Sequence, residues 1–136
     1  MKTPIVLAHG MLGLAQSFIQ NLRLADYFKG IPEWLRENGY EVITPEVAGI
    51  GSNVARATDL KKQILDATDL PVHIIAHSQG GLDSRYMISH LDMAKNVRSL
   101  TTISTPHLGS PVADWGISRT QQIGVFQMLE WSNMDT

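Results

Sequence analysis

The chain has 136 residues, 43% of them hydrophobic and 18% charged, with 11 Lys plus Arg against 13 Asp plus Glu for a formal net charge of −2. That balance suits one globular domain able to bury roughly two thirds of its unfolded surface, and it gives nucleic acid no electrostatic reason to bind. There is no cysteine, which excludes disulfides and thiolate chemistry, and no apolar run approaches the ~18 residues a membrane span needs.

The N-terminus, Met1-Lys2-Thr3-Pro4, leads directly into the first apolar run. It leaves no room for the n-region, h-region and cleavage site of a signal peptide, so a cytoplasmic location is the default expectation. Ile5–Ala8 is the first expected strand, and it breaks into His9-Gly10-Met11-Leu12-Gly13. A glycine-punctuated loop after a strand can aim a backbone N–H at an oxygen that becomes negative during acyl transfer. His9 suits a loop-stabilising hydrogen bond better than a catalytic base. A helix is expected to begin at Pro32, since proline fits the first helical position, and to stop at Asn38-Gly39. A second strand follows at Glu41–Val47. Gly49 and Gly51 lie in the next loop, and a helix capped by Ser52 or Asn53 presents Val54, Ala57, Leu60, Ile64 and Leu65 on one face and ends before Pro71.

Val72–Ala76 reads as a buried third strand, and it runs into His77-Ser78-Gln79-Gly80-Gly81. Ser78 is flanked two residues either side by Ala76 and Gly80. A strand turning sharply into a helix forces its central residue into strained backbone angles and closes only when those flanking positions carry little side chain, the signature of a nucleophile elbow. Ala76 replaces the more usual glycine, which the steric requirement tolerates. The following helix is expected over Leu82 to Leu91, with its amide-rich end toward Ser78. The fourth strand is Ser99–Ile103. Apolar runs alternating with amphipathic stretches give an α/β fold: a parallel sheet of about four strands with flanking helices, and no repeat or linker.

Four blocks in order resemble the bacterial triacylglycerol lipases of the Pseudomonas and Burkholderia type, members of the α/β-hydrolase superfamily. They are Val6-Leu7-Ala8-His9-Gly10-Met11-Leu12-Gly13, Tyr27-Phe28-Lys29-Gly30-Ile31-Pro32-Glu33-Trp34-Leu35-Arg36, Ala76 to Tyr86, and Thr102 to Asp114. The match covers only the N-terminal part of a family member, so residues 1–136 are expected to be the N-terminal part of a single α/β-hydrolase domain. The resemblance implies a serine hydrolase of carboxylic, lipid-type esters. By the same resemblance, Ser78 looks like the acylated nucleophile and the backbone N–H groups of Met11 and Gln79 look like the oxyanion hole. It also implies the strand order Glu41–Val47, Ile5–Ala8, Val72–Ala76, Ser99–Ile103. The triad acid and base come later in the chain than the serine in such enzymes, and the family's structural calcium site would lie beyond residue 136. No cofactor is expected within the chain itself. Members of this family are often secreted.

His107 follows the fourth strand, but its block matches a family segment that is not the catalytic-histidine loop. Asp83, Asp92 and Asp114 are poor acid candidates, Asp83 being expected on a helix surface or in an Arg85-type contact. His73 and His77 are expected not to share a face, which argues against a metal pair. Met11, Leu12, Leu14, Trp115, Ile117, Val125, Phe126, Met128 and Leu129 supply apolar surface suited to a lipid-facing mouth or equally to ordinary core. Two other functions stay open: a catalytically silent lipase-like module that binds lipid or a partner, and an acyltransferase or amidase on the same elbow. Ser99–Ile103 is expected at a sheet edge, a route to self-association.

Overall fold

The computed structural model describes residues 2–11, 27–49 and 51–111. The chain divides into two compact units, Met1–Thr105 and Pro106–Thr136. In the first, four parallel strands form one sheet: β1 (Ile5–Ala8), β2 (Val42–Ile43), β3 (Val72–His77) and β4 (Val97–Ile103). Their spatial order is β2-β1-β3-β4, the order the resemblance implies. Among the described residues three helices connect them: α1 (Ile31–Glu37), α2 (Asn53–Ala67) and α3 (Gln79–His90), with a short 3-10 turn at Ala94–Asn96 before β4.

The central strands read as they pack. Every residue of β1 is buried, because helices cover both faces of a parallel sheet. Alternate residues of β1 then serve two cores. Val6 and Ala8 join Val72, Ile74 and Ala76 of the sheet to Ala57, Leu60, Ile64 and Met87 of α2 and α3. Ile5 and Leu7 pack with Leu35 of α1 on the opposite face. Burying a Leu or Ile side chain contributes about 1.5–3 kcal/mol, so the centre of the sheet carries most of the stabilisation. β1 and β3 pair from Ile5 with His73 to Ala8 with Ala76, which brings the loop after β1 and the turn after β3 out at one end of the sheet.

Helix boundaries follow local chemistry. α1 starts after Gly30, whose φ of 74° is a left-handed geometry suited to glycine, and has its proline at the start. It stops at Asn38, with Gly39 at φ 80°. Ser52 caps α2, its Oγ accepting from the Ala55 N–H at 3.2 Å. The second strand is shorter than expected, since only Val42 and Ile43 pair with β1. On α2 the buried residues are Arg56, Ala57, Leu60 and Ile64. Leu65, expected on this face, is 41% exposed, because Ile64 already occupies the contact line and the next residue lies about 100° further round the helix. α3 begins at Gln79, directly after Ser78. In the second unit, His107 and Gly109 form an isolated bridge, and the Gly109 N–H donates to the Pro106 carbonyl at 3.1 Å. Leu12, Leu14, Asp114, Trp115, Ile117, Val125, Phe126, Met128 and Leu129 lie outside the described residues.

Candidate active site

Ser78 sits at the junction of β3 and α3 with φ 54° and ψ −127°. A non-glycine residue there is strained, by about 1–3 kcal/mol, and persists only where its surroundings over-determine it. They do so here. The Ser78 N–H donates to the Ile103 carbonyl of β4 at 2.9 Å, and the Ser78 carbonyl accepts from the Gly81 N–H at 3.0 Å. Thr105 Oγ1 donates to that same carbonyl at 2.8 Å. The amide side of the turn is thus pinned to β4, and the carbonyl side to α3 and to Thr105 just beyond β4.

The small residues around Ser78 are required by close backbone approach. A Cβ on Gly80 would fall 2.7 Å from the His9 carbonyl oxygen and 2.9 Å from the Ala8 carbonyl carbon. One on Gly81 would run into the Thr105 side chain, and one on Gly10 would lie 2.8 Å from Ser78 Cβ and 2.9 Å from Tyr27 Oη. The loop after β1 and the turn after β3 therefore touch, and Gly10 is the residue of that loop set against the serine.

Of the residues singled out in sequence, Ser78 and Gly10 are brought together. Met11 is half exposed. Gln79 starts α3 and turns its side chain toward the head of α2, Nε2 donating to Asn53 Oδ1 at 3.1 Å. His9 is buried, with Nδ1 2.8 Å from the Gly10 carbonyl, and burial holds its pKa below the ordinary 6.5. Its ring is engaged with the loop backbone, as its position suggests. Asp83 departs from expectation: rather than a surface residue it is buried, Oδ2 accepting from Arg56 Nε at 2.8 Å. Its place one turn into α3 faces α2 across the helix pair. Burial, partly offset by the Arg56 charge and hydrogen bond, pushes its pKa up from 3.8 to about 6. His73 and His77 also differ from the sequence reading. Both fall on the same, partly exposed face of β3, because positions four apart on a strand share a side. Each is engaged separately, His73 Nδ1 with Ser99 Oγ at 2.7 Å and His77 Nδ1 with Tyr27 Oη at 2.6 Å. Among the described residues no group of three or more His, Asp or Glu could hold a metal ion.

Two residues at the site were not assigned roles from the sequence. Tyr27 accepts from the Gly10 N–H at 3.0 Å. Arg56 donates to the carbonyls of His9, at 3.1 Å, and Ala48. Arg56 carries a legible signal: an arginine in line with Leu60 and Ile64 on an otherwise apolar helix face requires a buried partner.

A parallel sheet with helices on both faces and a strained serine between strand and helix defines the α/β-hydrolase class. The comparisons with known proteins narrow it: residues 4–123 match the model of the palmitoyl protein thioesterase family, and the chain belongs to that family. Its sequence relatives include the expected lipases. Triacylglycerol lipase 2 of Saccharomyces cerevisiae is 36% identical over 81% of this chain and 36% of its own length. The triacylglycerol lipase of Burkholderia plantarii is 37% identical over 84% of this chain and 32% of its own. The chain therefore spans about a third of the curated relatives it matches. Among solved structures, the mature Bacillus licheniformis lipase BlEst2 superposes with a TM-score of 0.67 at 26% identity, covering 83% of this chain and 44% of that one. No helix among the described residues is long and apolar enough to cross a membrane.

Proposed function

We propose that the protein is a carboxylic ester hydrolase of lipid type working through an acyl-enzyme on Ser78. The observation that carries this is the backbone of Ser78, φ 54° and ψ −127°, held in a turn whose small neighbours abut the loop after β1. Strain of this kind has no packing benefit and is maintained where it presents a side chain for chemistry. In the proposed reaction the Ser78 oxygen attacks the acyl carbonyl and gives up its proton to a base. The resulting oxyanion accepts from the backbone N–H groups of Met11 and Gln79. The tetrahedral intermediate collapses with loss of the alcohol, which takes a proton, and water then attacks the acyl-enzyme to release the acid. The names of the lipase relatives and of the family favour fatty acyl substrates. An oxyester and a thioester pass through the same acyl-enzyme, so both belong to this reading.

The experiment is hydrolysis of short- and long-chain p-nitrophenyl esters and of palmitoyl-CoA by the protein and its Ser78→Ala variant. For an enzyme with a complete triad, turnover should fall on the order of 10⁶-fold. Most of the activity surviving in Ser78→Ala would remove the assignment. Competing alcohol and amine acceptors in the same assay distinguish a hydrolase from an acyltransferase or amidase by its products.

A further inference from the structure

Polar side chains converge on the peptide units flanking Gly10. The Gly10 N–H is taken by Tyr27 Oη at 3.0 Å. The same Tyr27 Oη lies 2.6 Å from His77 Nδ1, so the phenol is held between the two. The Gly10 carbonyl lies 2.8 Å from His9 Nδ1 and 3.4 Å from Arg56 Nη2, and the same Nη2 donates to the His9 carbonyl at 3.1 Å. Arg56 is anchored through Nε by Asp83 at 2.8 Å, on the helix that begins directly after Ser78.

In a planar trans peptide, the carbonyl of one residue and the N–H of the next point in opposite directions. A Gly10 carbonyl drawn inward by Arg56 and His9 therefore turns the Met11 N–H outward. The Gly10 N–H is already engaged. An arginine is also an expensive choice for this position on stability grounds, since an apolar pair of similar volume is often as stable as a buried ion pair. Its rigid fork of donors is what one carbonyl after another along the loop requires.

We propose that Arg56, held by Asp83, is a positioning residue for the reaction: it fixes the Gly10-Met11 peptide plane so that the Met11 N–H faces the acyl oxygen. This rests on Ser78 as nucleophile and the Met11 amide as oxyanion donor. Its test compares p-nitrophenyl butyrate with the thiono ester, in which sulfur replaces the carbonyl oxygen. Sulfur accepts hydrogen bonds weakly, so the ratio of the two rates reports on the oxyanion donors and not on general integrity. In the full chain, Arg56→Met should lower kcat on the oxoester by about 10- to 100-fold, less than the loss of a donor outright. KM should stay within about twofold, as for an interaction made only in the transition state, and the thiono rate should change little.

Equal losses on both esters, or unchanged kcat, would overturn the proposal. If Arg56→Met does not fold, Arg56→Lys and the near-isosteric Asp83→Asn should move the ratio the same way by less, and an unmoved ratio in both overturns it. Independently of turnover, hydrogen exchange at the Gly10 amide, which is bonded to Tyr27, should quicken by about tenfold or more in Arg56→Lys while α1 amides are unchanged. Unaltered exchange there contradicts the tether. Turnover retained in Ser78→Ala would instead sink the nucleophile assignment and leave the exchange result standing.

Discussion

Arg56 Nε and Asp83 Oδ2 meet at 2.8 Å with their side chains 0% and 1% exposed, joining α2 to α3 beneath the loop that reaches Ser78. Asp83 Oδ1 has no hydrogen-bond partner among the described residues, so the carboxylate is only half satisfied and burial outweighs the attraction of Arg56.

That imbalance sets a pH dependence. Asp83 is pushed from 3.8 to about 6, so the native state binds more protons than the unfolded state between those values. Its contribution to stability is fully present below pH 3.8 and is lost as pH rises through about 6. Measured by urea unfolding at pH 4 and pH 7, Asp83→Asn should gain on the wild type as pH rises. A wild type that gains on the variant over that range would mean Arg56 dominates and the shift runs the other way.

At Ser78, glycine and alanine should separate strain from chemistry. Both delete the hydroxyl, but only glycine adopts φ 54° without a Cβ penalty. Ser78→Gly should be more stable than Ser78→Ala by about 1 kcal/mol, after allowing for the greater entropy of unfolded glycine. Equal melting temperatures would show that the backbone there is not under strain.

Gly80 tests the tightness of the elbow. A Cβ there would press on the Ala8 carbonyl at the end of β1 and the His9 carbonyl just after it, backbone groups that cannot swing aside as a side chain can. Gly80→Ala should cost about 1–3 kcal/mol, the range for overpacking, and Gly80→Val more. An alanine variant with an unchanged melting temperature would contradict the close approach of turn and loop.

The sequence made the order of elements legible because β1 and β3 are short, largely apolar runs, and every residue of β1 is buried. It made the elbow legible through Ala76, Gly80 and Gly81, whose size is dictated by contact. It was weaker wherever an outcome depended on a distant partner. Asp83 looked like a surface acid because nothing near it in sequence neutralises it, and Arg56 lies 27 residues away. Leu65 looked like core because helical period alone does not say how wide the covered stripe is. Tyr27 could not be assigned a role because its contacts, Gly10 and His77, lie 17 and 50 residues away.

Among the described residues β4 is the last strand of the sheet order, and Ile103 on it is 47% exposed. A strand edge without a neighbour invites pairing with another chain. We propose that β4 is an edge for self-association, which Ile103→Lys should weaken. Light scattering of a stable wild-type monomer, or an unchanged association in Ile103→Lys, would contradict this.

The most direct measurement of the central claim is covalent. After incubation with an alkyl fluorophosphonate, tryptic digestion yields the fragment running from Gln63 to Arg85, which contains both Ser78 and Ser84. Fragment-ion spectra assign the adduct to one of them. The account predicts phosphonylation at Ser78, abolished in Ser78→Ala and slowed in Arg56→Met. Ester hydrolysis without any adduct at Ser78, or with the adduct on another residue, would contradict it.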